Sequence, residues 1–133
     1  MSKDPSTKVG AVLAHANEIV SMGFNGFPRG VKDDDRLLDR GKKYQLIVHA
    51  EMNALLRAGT RAKNAKLYLY QLPPCCACAK HLVSAGISEV VFCNCPVPDR
   101  WVSDITDSLC LLSEAGIYSR SITLWDLDGP EDQ

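Results

Sequence analysis

The chain has 133 residues, the size of one compact domain with a single core, and 46% of them are apolar, which excludes a largely disordered protein. Fifteen basic residues against sixteen acidic ones leave no positive excess, so a small-molecule substrate is favoured over polymeric DNA or RNA. The apolar runs are too short for a bilayer and no secretion-type segment opens the chain, so a cytoplasmic location with no membrane contact is expected.

Lys8 to Ala14 and Glu18 to Phe24 are short apolar runs on either side of His15-Ala16-Asn17, the pattern of a hairpin. Asn25 to Gly30 is turn chemistry throughout, and Val31 to Tyr44 mixes both charge signs, as a solvated excursion with room for one short helix. His49 to Arg57 predicts a helix stopped by Gly59, and Lys66 to Tyr70 a strand. After Pro73-Pro74, a helix over Cys76 to Ala85 ends at Gly86, and Glu89 to Cys93 forms the next strand. Ile105, Leu109 and Leu112 space a helix over Ser103 to Ala115, followed by a last strand over Ile117 to Leu124. The later strands, joined through helices, should run parallel in a mixed sheet within one α/β domain over residues 1–125. Residues 126–133 read as a frayed polar tail. Because the first strand comes so early, one sheet face is expected to lack a helical cover; either an N-terminal helix is missing from this chain or a partner subunit covers that face.

Three of the six cysteines, Cys75, Cys76 and Cys78, fall within four residues, which in a chain without a secretion signal points to metal or thiol chemistry. Two pieces combine: His49-Ala50-Glu51, and Pro74-Cys75-Cys76-Ala77-Cys78 with its first cysteine 26 positions after His49. Read as H-x-E and P-C-x-x-C, they supply one imidazole and two thiolates to zinc and leave a fourth position for water. Both fall at predicted helix starts, where the dipole and unpaired N–H groups favour the thiolate. Glu51, two residues past His49, is placed for general acid–base work beside the metal.

With these motifs the sequence resembles the cytidine deaminase superfamily, and within it the dCMP deaminase branch. The resemblance runs from about Asp4 to Ile117, through Asp4-Pro5-Ser6-Thr7-Lys8-Val9-Gly10-Ala11, Gly23-Phe24-Asn25-Gly26, Phe27-Pro28-Arg29-Gly30, His49 to Ala54 and Pro74 to Lys80. It implies a three-layer fold around a mixed five-stranded sheet, and zinc held by His49, Cys75 and Cys78 with Glu51 as proton shuttle. The implied reaction is hydrolytic deamination at C4 of cytosine in a pyrimidine nucleotide, foremost dCMP. Asn25 matches a residue that contacts the substrate sugar, and the Ala50 N–H one that meets the base carbonyl. Arg29, in the loop after Asn25, is the first choice for the phosphate, with Lys32, Lys42, Lys43 and Arg100 as competitors. Gly23, Gly26 and Gly30 fall in a stretch that relatives use near a regulatory nucleotide site. Relatives assemble as homo-oligomers, from dimers to hexamers, with dCTP and dTTP as effectors. They also carry an N-terminal helix for which this chain has little room, and many have a longer excursion than Val31 to Val48.

Ordinary readings stand beside these. Cys76 should point away from the metal, and Cys93 and Cys95 read as small buried hydrophobes rather than as a second metal site with His81 or Cys110. His15 and His81 read as surface residues. Trp101, Trp125, Tyr68 and Tyr70 read as core or interface, and Asp33-Asp34-Asp35 as a solvated face. Rival activities are deamination of free cytidine, of adenosine in transfer RNA, or of guanine or a riboflavin precursor. From another class, the rival is a non-catalytic zinc-binding scaffold, for which an intact Glu51 is unneeded.

Overall fold

The computed structural model describes residues 10–32, 34, 41, 45–70 and 72–123. The expected tail, Trp125, Lys42 and Lys43, the Asp4 to Val9 part of the first motif and most of the Val31 to Tyr44 excursion lie outside the described residues.

Strands β1 (Gly10–His15) and β2 (Glu18–Phe24) form the hairpin. His15 pairs with Glu18, so only Ala16 and Asn17 remain in the turn. Both have positive φ, 52° and 67°, as the tightest hairpin turn with right-twisted strands requires. Helix α1 (Ala50–Ala58) and a 3-10 turn (Gly59–Ala62) lead to β3 (Lys66–Tyr70). Helix α2 (Cys76–Ala85) ends at Gly86, whose φ of 81° is the left-handed stop that glycine allows. Strand β4 (Glu89–Cys93), helix α3 (Asp99–Glu114) and strand β5 (Tyr118–Ile122) complete the order. Helix α3 starts a turn earlier than its apolar spacing predicts, with Pro98 at its N-cap and Asp99 in its first turn.

The sheet order is β2-β1-β3-β4-β5. β1 is antiparallel to β2 and to β3, whereas β3, β4 and β5 are parallel, the mixed sheet expected. β2 therefore points the same way as β3 and β4, and their C-terminal ends share one edge. In sheets with helical crossovers that edge is where ligands bind.

The core lies on one face. Leu13 pairs with Leu67, which pairs with Val90; against this row pack Ala50, Ala54 and Ala58 of α1, Ala79 and Leu82 of α2, and Leu112 of α3. Alanines on α1 let it lie close to the sheet, and Gly23 goes further. A Cβ there would sit 2.4 Å from the Ala50 carbonyl oxygen and 2.5 Å from the Ala54 nitrogen. Among the described residues, none of α1, α2 and α3 lies on the other face. Met22, Tyr68 and Tyr70 stand out from it, beside a cavity of about 310 Å³ that Val12, Val91 and Ile122 also line. No helix among the described residues is long and apolar enough to cross a membrane.

Candidate metal centre

The two sequence motifs meet at the C-terminal edge of the sheet. His49 is the N-cap of α1 and Cys75 the N-cap of α2, both with extended backbone (φ −67°, ψ 155° and φ −76°, ψ 167°). Cys78 lies one turn along α2, on the same side as Cys75. The His49 Nδ1 stands 3.3 Å from Cys78 Sγ and 3.5 Å from Cys75 Sγ. All three ligand atoms lie within 4.8 Å of one another.

That arrangement suits zinc. Tetrahedral bonds of about 2.05 Å to nitrogen and 2.3 Å to sulfur place N and S roughly 3.6 Å apart, close to the spacing seen. No fourth His, Cys, Asp or Glu joins the group among the described residues, so a coordination position is left for water or substrate. Cys76, as expected, turns away: its Sγ donates to the Asp104 carbonyl at 3.4 Å.

Electrostatics inside the cluster show what metal loading displaces. The hydrogen bond from the Cys78 thiol, with a further one from His49, holds Cys75 down to about 4. Cys78, as the donor of that bond and through its burial, is pushed well up. His49 is raised by its hydrogen bond with Cys75. The two thiols thus favour sharing one proton between them, and binding both as thiolates requires its release. Glu51, the second residue of α1, is only 5% exposed, and burial pushes its carboxyl up to about 7.

Asn25 follows β2 directly and is buried, and its Oδ1 accepts the Ala50 N–H at 2.8 Å. The two residues assigned separately to sugar and base by resemblance are therefore bonded to each other. Around them runs a polar seam that sequence reasoning missed. Asn53 Nδ2 donates to the Phe24 carbonyl at 2.6 Å and to the Val48 carbonyl at 3.3 Å, so one amide ties the residue before Asn25 to the residue before His49. Gly26 and Val48 pair through backbone bonds of 3.1 and 2.7 Å. Ser21 Oγ donates to the Ala54 carbonyl and Arg57 to that of Met22. In sequence Asn53 is an ordinary polar helix residue, and only its place inside His49 to Ala54 could have drawn notice.

Of the remaining expectations, Arg29 is exposed in the turn that Val31 closes onto the Pro28 carbonyl. Arg100 lies over the Trp101 ring, 5.5 Å from its centre. Gly26 and Gly30 have open space where a side chain would begin, whereas Gly23 is packed against α1. Cys93 is buried with its thiol toward the Leu69 carbonyl, His15 and His81 are exposed, and no second metal group exists among the described residues.

A mixed α/β sheet whose ligand-binding edge gathers one imidazole, two thiols and a buried carboxyl defines a single-zinc hydrolase. The cytidine and deoxycytidylate deaminase zinc-binding region matches residues 1–94, and the chain belongs to this family of zinc-dependent deaminases. It is 41% identical over 119 residues to an uncharacterised deaminase of Aliivibrio fischeri, covering 87% of this chain and 80% of that one. To the deoxycytidylate deaminase of Homo sapiens it is 36% identical over 129 residues, 90% and 70% of the two chains. Among solved structures, the dCMP deaminase of cyanophage S-TIM5, in complex with dCMP and dUMP, superposes with a TM-score of 0.72. The two are 26% identical, over 91% of this chain and 85% of the phage chain.

Proposed function

We propose that the protein hydrolyses dCMP to dUMP and ammonia, with His49, Cys75 and Cys78 as the zinc ligands and Glu51 as the group that moves protons. The observation that carries this is the convergence of the three ligand atoms from two helix starts, with Glu51 buried on the first of them. A zinc ion held by these three side chains would supply Lewis-acid activation of water at neutral pH. Glu51 takes the proton that the attacking water loses and passes it to the cytosine ring nitrogen. A second transfer through Glu51 protonates the amine as it leaves C4, so that water and cytosine become uracil and ammonia. Burial suits this role, since a carboxyl shielded from solvent exchanges its proton only with the bound reactants.

Asn25 is the residue we assign to the sugar, by its match to the family motif and its place at the sheet's ligand edge. Ala50 is assigned to the base carbonyl. Arg29 is assigned to the phosphate, on the strength of its exposure in the turn following Asn25. An effector nucleotide, dCTP or dTTP, would lie along the Gly23, Gly26 and Gly30 stretch, with open space beside the latter two. We further propose one domain over residues 1–125, a homo-oligomer that buries the apolar sheet face, and a cytoplasmic setting suited to crowded free thiols.

The substrate is tested by ammonia release from dCMP, CMP, deoxycytidine and dCTP at equal concentration. The expected order puts dCMP first. A preference for the unphosphorylated nucleoside overturns the nucleotide assignment.

A further inference from the structure

We infer that Asp104, on α3, is a positioning residue for the metal centre, because it caps the start of α2 in place of Cys75. The inference rests on the reading of His49, Cys75 and Cys78 as the metal ligands. A helix normally closes its first turn with an N-cap side-chain oxygen that accepts an unpaired backbone N–H. Cys75 holds the N-cap place of α2 but makes no side-chain cap, since its Sγ turns to His49 Nδ1 at 3.5 Å. The vacant duty is met from another helix: Asp104 Oδ2 accepts the Cys76 N–H at 3.1 Å. The Cys76 thiol then donates back to the Asp104 carbonyl at 3.4 Å, so α2 and α3 are joined in both directions at one point.

The same arrangement occurs at the other ligand helix. His49 is the N-cap of α1 without a side-chain cap, and Asn25 supplies the oxygen from the end of β2. Both helices thus begin on a metal ligand and borrow their cap from elsewhere in the fold. Two further donors of the α2 start, the Cys78 and Ala79 N–H groups, bond to the Cys75 carbonyl. The contact of Asp104 with the Cys76 N–H therefore ties this turn to α3, beside the contacts of the Cys75 and Cys78 sulfurs with His49. Ile105 and Ser108, buried on the same helix, hold α3 in place behind it. Freed of the tie, the first turn of α2 can rotate, and a rotation there moves Cys75 and Cys78 together relative to His49. Outer-shell partners of metal ligands commonly change affinity by about ten- to a hundredfold when removed.

The test is zinc affinity by chelator competition in the full chain, with no substrate present. Asp104→Ala is expected to bind zinc ten- to a hundredfold more weakly. Asp104→Asn keeps an acceptor oxygen and should stay within about threefold of the parent. Asp107→Ala, which removes an exposed carboxylate one turn on, should leave affinity unchanged. In the cobalt-loaded proteins the visible bands should shift for Asp104→Ala alone, a change that loss of fold stability by itself does not produce. Parent-like affinity and spectrum in Asp104→Ala overturn the inference. So does an Asp104→Asn protein as weak as Asp104→Ala, which would assign the effect to charge. Should Asp104→Ala fail to fold, hydrogen exchange of the Cys76 amide in the parent decides: protection supports the cap, and exchange at the open-chain rate refutes it. Cys75→Ser separates the two readings, because undiminished zinc binding in that variant would bring down the ligand assignment itself.

Discussion

Replacing Gly23 by alanine adds one methyl group where β2 meets α1. Its Cβ would lie 2.4 Å from the Ala50 oxygen, 2.5 Å from the Ala54 nitrogen and 2.9 Å from Asn53 Cβ. Ordinary contact begins near 3.4 Å, so α1 must retreat by about 1 Å, and two of the three atoms are backbone that no rotamer change can move. Position 23 is not among the residues with positive φ, so alanine carries no backbone strain and even gains about 0.4–1 kcal/mol through the unfolded chain. Overpacking of this kind costs typically 1–3 kcal/mol, and the rigid neighbours place Gly23→Ala at the upper end, for a net loss of about 2 kcal/mol. In a chain of this size that lowers the melting temperature by roughly 8 °C. His49 heads the displaced helix, so kcat/KM should fall by about a hundredfold, the scale of a 1 Å misplacement at a reacting centre. Thermal unfolding followed by circular dichroism, with ammonia release on the same samples, measures both. Gly26→Ala, at a position with nothing within 4 Å, serves as the stability control and should leave the melting temperature unchanged. A Gly23→Ala protein with the parent's melting temperature and kcat/KM would refute the close-approach reasoning.

Glu51→Gln should retain one zinc per chain yet lose about a hundred- to ten-thousandfold in kcat, as metal analysis and turnover will show; retained turnover contradicts the proton-shuttle role. Ser108 is fully buried on α3 with no partner for its hydroxyl among the described residues, so Ser108→Ala should stabilise the fold by about 1 kcal/mol, read from denaturant midpoints. Glu89 accepts from Arg120 Nε at 2.6 Å, with Lys66 at 3.5 Å, and the Arg120 guanidinium holds its carboxyl below the ordinary range. A folded-state pKa below the unfolded value means that the pair's contribution is present above the unfolded pKa of about 4.5 and fades as pH falls through the folded value. Glu89→Gln should therefore lose stability at neutral pH and show a flatter decline on the acid side; superimposable acid limbs in the two proteins would disprove the linkage.

The elements that sequence patterns reveal best are those bounded by strong punctuation. Gly86 and Pro73-Pro74 delimit α2 at both ends, and Lys66–Tyr70 and Glu89–Cys93 fall where the alternation and the apolar run place them. Helix α3 begins early because Pro98 and Asp99 start it, and no apolar periodicity marks that first turn. The 3-10 turn after Gly59 was not legible, since Thr60 and Arg61 carry no signal for it. At the site, residue types and spacing suffice for the imidazole and both sulfurs, because metal chemistry restricts ligands to so few side chains. The bonds of Asn53, Asn25 and Asp104 stay hidden, because an amide or carboxylate that caps a distant helix looks in sequence like any other polar residue. Gly23 drew attention as part of a loop motif, but its reason is steric and appears only once α1 is seen against β2.

His49 comes from the half of the chain built on the hairpin and α1, whereas both sulfurs come from the half built on β3 and α2. An ion bound by all three fastens those halves like a rivet, closing a loop between positions 49 and 75 that the unliganded polypeptide must close by packing alone. Stability then rises with metal occupancy, so that a chelator should lower the melting point of this protein and free zinc should raise it.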